Sequence, residues 1–192
     1  MNIGDRLNAA AEVAAQFIGQ NKLEDALFVR GIFRAQHIRH GRVIWEEEFP
    51  NTVVTVGKNL MLDTLLAGSA YTVVGPYMGL ISGTPTTAAA DTMASHGGWT
   101  EVGGTNAPAY SSTRKTCVWS AASAGAKALS SALNFTFTGT GTVGGAFIVT
   151  GTGAVNTQDN TSGTLFSAGA FGTGNRGIIP TDQLNVSYSI SV

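Results

Sequence analysis

The stretch "NFTFTGTGTVGGAFIVTG", Asn134 to Gly151, decides what kind of fold this chain has. Within it, Gly139-Thr140-Gly141-Thr142-Val143-Gly144 has the G-x-G-x-x-G spacing of a dinucleotide-binding turn, and it follows a strand-like run, Phe135-Thr136-Phe137-Thr138. That fingerprint works only where a helix starts at the glycines, because the pyrophosphate rests on the helix's N-terminal amides. Here "GAFIVTGTG" follows, which is β-branched, aromatic and soon broken by more glycine. The same spacing recurs from Gly172 to Gly177, again with no helix pattern after it. Both sets of glycines therefore read as turns of a β protein and predict no cofactor.

The rest of the chain fits that reading. Short apolar runs alternate with Gly, Ser, Thr and Pro: "PYMGLISG" (76–83), "TCVWSAAS" (116–123), "SALNFTFTG" (131–139), "GTLFSAGAF" (163–171) and "LNVSYSISV" (184–192). In the last, Leu184, Val186, Tyr188, Ile190 and Val192 alternate with polar residues, the pattern of a half-buried strand. The stretch "GIFRAQHIRHGRVIWEEEF" (31–49) predicts a hairpin turning at His40-Gly41. That register pairs Ile38 with Val43, Gln36 with Trp45, Arg34 with Glu47 and Ile32 with Phe49. Ile32, Ile38, Val43, Trp45 and Phe49 then share a buried face, while His37, Arg39, Arg42, Glu46 and Glu48 face water.

Two helices are expected. "TVGKNLMLDTLLAG" (55–68) has Thr55 as N-cap and turns Val56, Leu60, Met61 and Leu65 toward a core. Asp5 to Gln16 carries Leu7, Ala10, Ala11, Ala14, Phe17 and Ile18 at helical spacing, and "GQNKLED" (19–25) follows as a linker. Asp91 is expected to cap a short helical turn running to His96. The predicted organisation is an N-terminal helical arm (1–27) and a β-sandwich or jelly-roll domain (28–192) with one inserted helix.

Composition narrows the function classes. Of 23 charged side chains in 192 residues, 15 fall in residues 1–63, and net charge is −1. No electrostatic signal points to nucleic acid or to a membrane surface. The long C-terminal part keeps itself wet with Thr, Ser, Asn and Gly, a surface suited to close packing, since interface cores are depleted of charge. The N-terminal residues lack the basic-then-apolar order of a secretory signal, and no apolar run approaches the ~20 residues that span a bilayer.

The residue types that carry chemistry do not assemble into a site. His37, His40 and His96 show no metal-ligand spacing, and Cys117 in "TCVWS" reads as a small buried hydrophobe rather than a nucleophile paired with His96. Glu46, Glu47 and Glu48 alternate faces along a strand and cannot converge on a cation. "NTQDNTSG" (156–163) lacks calcium-loop spacing, and no G-x-S-x-G elbow occurs. Asn134, Asn160 and Asn185 each begin an N-x-S/T triplet, which matters only in a glycosylating pathway. Trp45, Trp99, Trp119, Tyr71 and Tyr77 are read as packing aromatics before a sugar platform. No metal, cofactor or enzymatic activity is expected.

At "VGKNLMLDTLLAGSAYT", "YMGLISG", "ADTMASHGGWTEV", "VGGAFIVT", "GTLFSAGAF" and "DQLNVSYSISV", the chain resembles a family of small virion structural proteins of tailed bacteriophages. The resemblance covers most of residues 28–192, and "ADTMASHGGWTE" is its most distinctive piece. It implies a non-enzymatic protein built into the phage particle after assembly in the host cytoplasm. The leading expectation is a capsid decoration or cement protein, self-associating as a dimer or trimer and binding the major capsid protein. Leu7, Phe17, Ile18 and Trp45 would be its contact residues. The alternatives are a neck or tail fibre subunit bound to portal or adaptor proteins, and a carbohydrate-binding module using Trp99 or Trp119.

Overall fold

A computed structural model describes residues 29–66 and 74–192. The expected arm with Leu7, Phe17 and Ile18 lies outside the described residues, as do Gly68 and Tyr71. The elements in chain order are β1 (Arg30–Arg39), β2 (Arg42–Pro50), β3 (Thr52–Val53), α1 (Thr55–Leu66), β4 (Tyr77–Ser82), β5 (Thr100–Glu101), β6 (Lys115–Thr116), β7 (Ala126–Ala128), β8 (Leu133–Thr136), β9 (Gly141–Thr150), β10 (Thr164–Ala170), β11 (Arg176–Ile178) and β12 (Gln183–Ser191). They form two antiparallel sheets of a β-sandwich. The first runs β2-β1-β12-β7, with β8 also on β12; the second runs β3-β10-β9-β4-β5, with β11 on β9 and β6 on β4.

Strand β9 sits at the centre of the second sheet and explains the opening stretch. Its run Val143 to Thr150 is buried throughout, because both faces of the strand are covered. Ala146 and Ile148 face the first sheet with Met78, Leu80, Phe33, Phe135, Val186 and Tyr188. Phe147 and Val149 face a second core with Val54, Ile81, Met93, Trp99 and Leu165. Gly144 and Gly145 are strand residues rather than turns. A Cβ on Gly144 would lie 1.8 Å from the Gly83 carbonyl oxygen, and one on Gly145 would lie 2.1 Å from that of Gly169. The glycines let neighbouring backbones close on β9, and no phosphate cradle forms.

The hairpin turns at His40-Gly41 as expected, with φ of 51° and 73° at the two residues. Its register does not hold beyond Ile38–Val43. A bulge between His37 and Ile38 leaves Ile44 unpaired, so His37 pairs with Trp45, Ala35 with Glu47 and Phe33 with Phe49. A one-residue slip exchanges the faces of a strand. Phe33, Ala35 and His37 therefore point inward, while Ile32 and Val43 are exposed. The expected Arg34–Glu47 pair is replaced by Arg34–Glu46, which Gln36 joins at 2.8 Å. Phe33 stacks on Phe49 at 5.3 Å and on Tyr188 at 4.6 Å, binding the hairpin to β12 through aromatic contact.

Two further expectations change. The first helical hydrogen bond of α1 runs from Lys58 N to the Val54 carbonyl, so Val54 rather than Thr55 holds the capping position. Asp91 caps no helix. Its carboxylate accepts from the Trp99 indole at 3.0 Å and from the Ala88 amide at 2.9 Å, and His96 stacks on Trp99 at 3.8 Å. The distinctive "ADTMASHGGWTE" segment is thus a loop folded around its own tryptophan, with Met93 in the second core.

Charge in the interior ties loops to sheets. The buried Arg114 guanidinium forms a two-point pair with Glu101 (2.8 and 2.7 Å), donates to the carbonyls of Val155 and Asn160, and lies over the Phe147 ring. Removing one member of such a pair strands the other charge and costs about 3–5 kcal/mol. Asp182 accepts from His37 Nε2 (2.8 Å), Arg39 Nε (2.8 Å) and Nη2 (2.7 Å), and the Ile179 amide (3.1 Å). Burial pulls its pKa up, but the donations from Arg39, Ile179 and His37 outweigh burial and hold it below the usual carboxylate range. A depressed carboxyl stabilises the fold above its unfolded pKa, near ~3.9, and that contribution is lost as pH falls. Denaturant midpoints should therefore drop steadily below about pH 4. Asp182→Asn should be less stable at pH 7 and show a flatter acid limb; an unchanged acid limb would remove Asp182 as its source.

Candidate functional site

An apolar groove of about 410 Å³ lies between α1 and the open side of the sandwich. Its roof is Leu60, Met61 and Leu65 of α1; its floor is Ile148, Phe166 and Ile190, with Trp119 as a side wall. Three local features build it. A bulge in β10 leaves Phe166 unpaired between Leu165 and Ser167, so its ring turns to the groove. The Phe166 carbonyl, freed from the ladder, accepts from Val54 N at 3.2 Å at the start of α1. Gly57, the buried residue of α1, lies so close that a Cβ there would stand 2.4 Å from that same carbonyl oxygen.

The helix is thus anchored at its first turn and carries unburied leucines at its far end. Leu62 is 50% exposed, Leu65 76% and Leu66 81%, so the expected core role of Leu65 does not hold. Val56, nearer the anchor, does pack on the second core. Leucines beside an apolar groove form a continuous patch of the kind that marks an interaction surface. Lys127 stands at the rim, its ammonium 3.1 Å from the Ser120 carbonyl.

Of the four contact residues read from sequence, Trp45 lies within the described part. Its ring is half-buried, packed against Phe171 at 4.9 Å and under the Arg176 guanidinium at 4.9 Å, with the indole donating to Thr173 Oγ1 at 3.2 Å. It lies on the hairpin, away from the groove. The residues that line the groove, Met61, Phe166, Ile190 and Trp119, were not singled out as contact residues. Only the run of four leucines in "LMLDTLL", too many for one buried stripe, hints at it in the sequence.

The other chemistry-bearing residues are occupied in structure. Cys117 is buried, and burial pushes its thiol up to about 12, far from a thiolate nucleophile. Trp99 is buried in the second core rather than displayed. The second G-x-G-x-x-G segment does cradle an anion, but the anion is internal: Glu47 accepts from the amides of Gly172 (2.8 Å) and Thr173 (3.1 Å) and from Thr173 Oγ1 (2.7 Å). Among the described residues, no group of three or more His, Cys, Asp or Glu side chains is placed to hold a metal, and no helix is long and apolar enough to cross a membrane.

The Gly57 contact yields a signed expectation. Glycine to alanine inside a helix normally gains about 0.5–1 kcal/mol. Gly57→Ala should instead destabilise the protein and release α1, because the added methyl meets backbone rather than a side chain. Chemical denaturation and helical circular dichroism would check this; a stabilised variant would mean that α1 is not seated on β10.

In comparisons with known proteins, no family model, no curated protein and no solved structure matches this chain.

Proposed function

We infer that this protein is a structural component of a tailed-phage particle, specifically a decoration or cement protein of the capsid. The apolar groove with its exposed α1 leucines carries this reading, because it is a surface built for packing on an otherwise charge-poor β-sandwich. The resemblance of the segments quoted above supports it from the sequence side. A protein that binds only the assembled lattice shifts its equilibrium away from rupture, by RT ln(1 + [L]/Kd).

The occupant of the groove is the arm of a neighbouring copy. Two observations support this. Gly31, at the start of β1, pairs with Ile190, which lines the groove, so β1 begins beside the groove. The arm's stripe of Leu7, Ala10, Ala11, Ala14, Phe17 and Ile18 is the apolar complement such a groove needs. Residues 19–28 can span at most about 33–36 Å, enough to reach a second subunit. Each leucine of the patch fully covered contributes about 1.5–3 kcal/mol.

Removing residues 1–27 should abolish both self-association and particle binding while the β domain keeps its melting transition. Retained binding would overturn the arm's role. Gel densitometry of purified particles tests the larger reading. A molar ratio to the major capsid protein near one, or a simple fraction of it, is expected for decoration. A few per cent would move the protein to the neck or tail as a fibre subunit, and absence from particles would overturn the virion reading.

A further inference from the structure

We propose that a second, polar pocket of about 260 Å³, between the β1–β2 hairpin and the segment Asn175–Gly177, binds a hydroxylated carboxylate, the chemistry of a uronic acid in an acidic polysaccharide. The pocket is lined by His37, Arg39, Ile44, Trp45, Asn175 and Arg176, and the inference stands independently of the virion reading.

The imidazole is fixed first. His37 is 3% exposed, and its Nε2 lies 2.8 Å from Asp182, an ionised acceptor, so Nε2 carries the hydrogen. In the neutral ring Nδ1 is then an acceptor; it makes no hydrogen bond among the described residues, on a ring that lines the pocket. The two arginines are half-used. Arg39 engages Asp182 and the Gly177 carbonyl through Nε and Nη2; Arg176 engages the Thr173 and Gly174 carbonyls through the same atoms, its plane over Trp45. Nη1 of each is unengaged among the described residues. Arg42 is the direct cross-strand partner of Arg39, a like-charge pairing that destabilises a hairpin.

The donor and acceptor pattern selects the ligand class. Two guanidinium groups suit the planar fork of a carboxylate. The Nδ1 lone pair calls for a hydroxyl donor beside that carboxylate. A phosphate dianion offers acceptors alone and would leave Nδ1 facing one. Ile44, which is exposed, supplies an apolar wall for the C–H groups of a sugar ring. A purely structural role explains why Asp182 is saturated; the open Nδ1 and both Nη1 groups remain available to a ligand in the pocket.

The test is NMR titration of the full-length chain with glucuronate, glucose and inorganic phosphate, carried through the millimolar range typical of single sugars. Glucuronate should bind saturably, shift the Trp45 indole resonance and shift His37 Nδ1 in long-range nitrogen spectra, while glucose does neither. Arg176→Gln should weaken glucuronate binding about tenfold or more while the melting temperature falls only slightly, since Arg176 hydrogen-bonds only neighbouring carbonyls and its contact with the Trp45 ring is at the surface. Absence of saturable binding would overturn the proposal. So would phosphate binding as tightly as glucuronate, or a bound state in which Nδ1 does not move; each leaves at most a bare oxyanion site.

Discussion

A carboxylate buried where two strands and a turn converge must be answered from every side, and the first sheet is arranged around Asp182. Its partners come from β1 (His37 and Arg39) and from the turn before β12 (Ile179). His37 can reach it only if β1 turns that side chain inward, and the Ile44 bulge is what permits this. Once His37 is inside, alternation places Ala35 and Phe33 inside as well, and Phe33 joins Phe49 and Tyr188. One ionic requirement at the hairpin's tip thus sets the face of the whole strand. The Glu101–Arg114 pair does the corresponding work for the second sheet, holding β5 to the loops around Val155 and Asn160.

Much of this was legible in the residues. Glycine-punctuated apolar runs gave β4, β8, β9, β10 and β12 but not "TCVWSAAS" (116–123), of which only Thr116 is in a strand; the His40-Gly41 turn was readable from its dipeptide, and the helix at 55–66 followed from its spacing and flanks. The hairpin face was not legible, because Ile32/Ile38 and Phe33/Ala35 offer two apolar stripes of similar quality. The choice between them depends on an aspartate roughly 145 positions away in sequence. The groove was hidden for a related reason. Periodicity reports that a leucine is apolar, but whether it meets a core or a solvent-facing groove depends on how far α1 extends past its anchor at Gly57. The arginines of the polar pocket come from β1 and β11, and no spacing rule connects them.

The two concavities divide the surface by chemistry. One is apolar, is roofed by a helix and lies beside the start of β1; the other is polar and lies at the hairpin's tip. This fits a chain whose C-terminal 129 residues contain so few charges that Asp91, Glu101, Arg114 and Asp182 are all buried. The interior ion pairs fix loops, which frees the surface to be Thr-, Ser- and Gly-rich.

The edge of the first sheet has a consequence for crowding. Among the described residues, strand β2 has β1 on one side only, and nine residues of open strand would ordinarily invite another chain to add itself by backbone pairing. It carries the bulged Ile44, exposed Arg42, Glu46 and Glu48, and a terminal Pro50. Each of these obstructs sheet-to-sheet polymerisation. Along this edge, copies brought close together would therefore meet through side chains rather than extend one another's sheet.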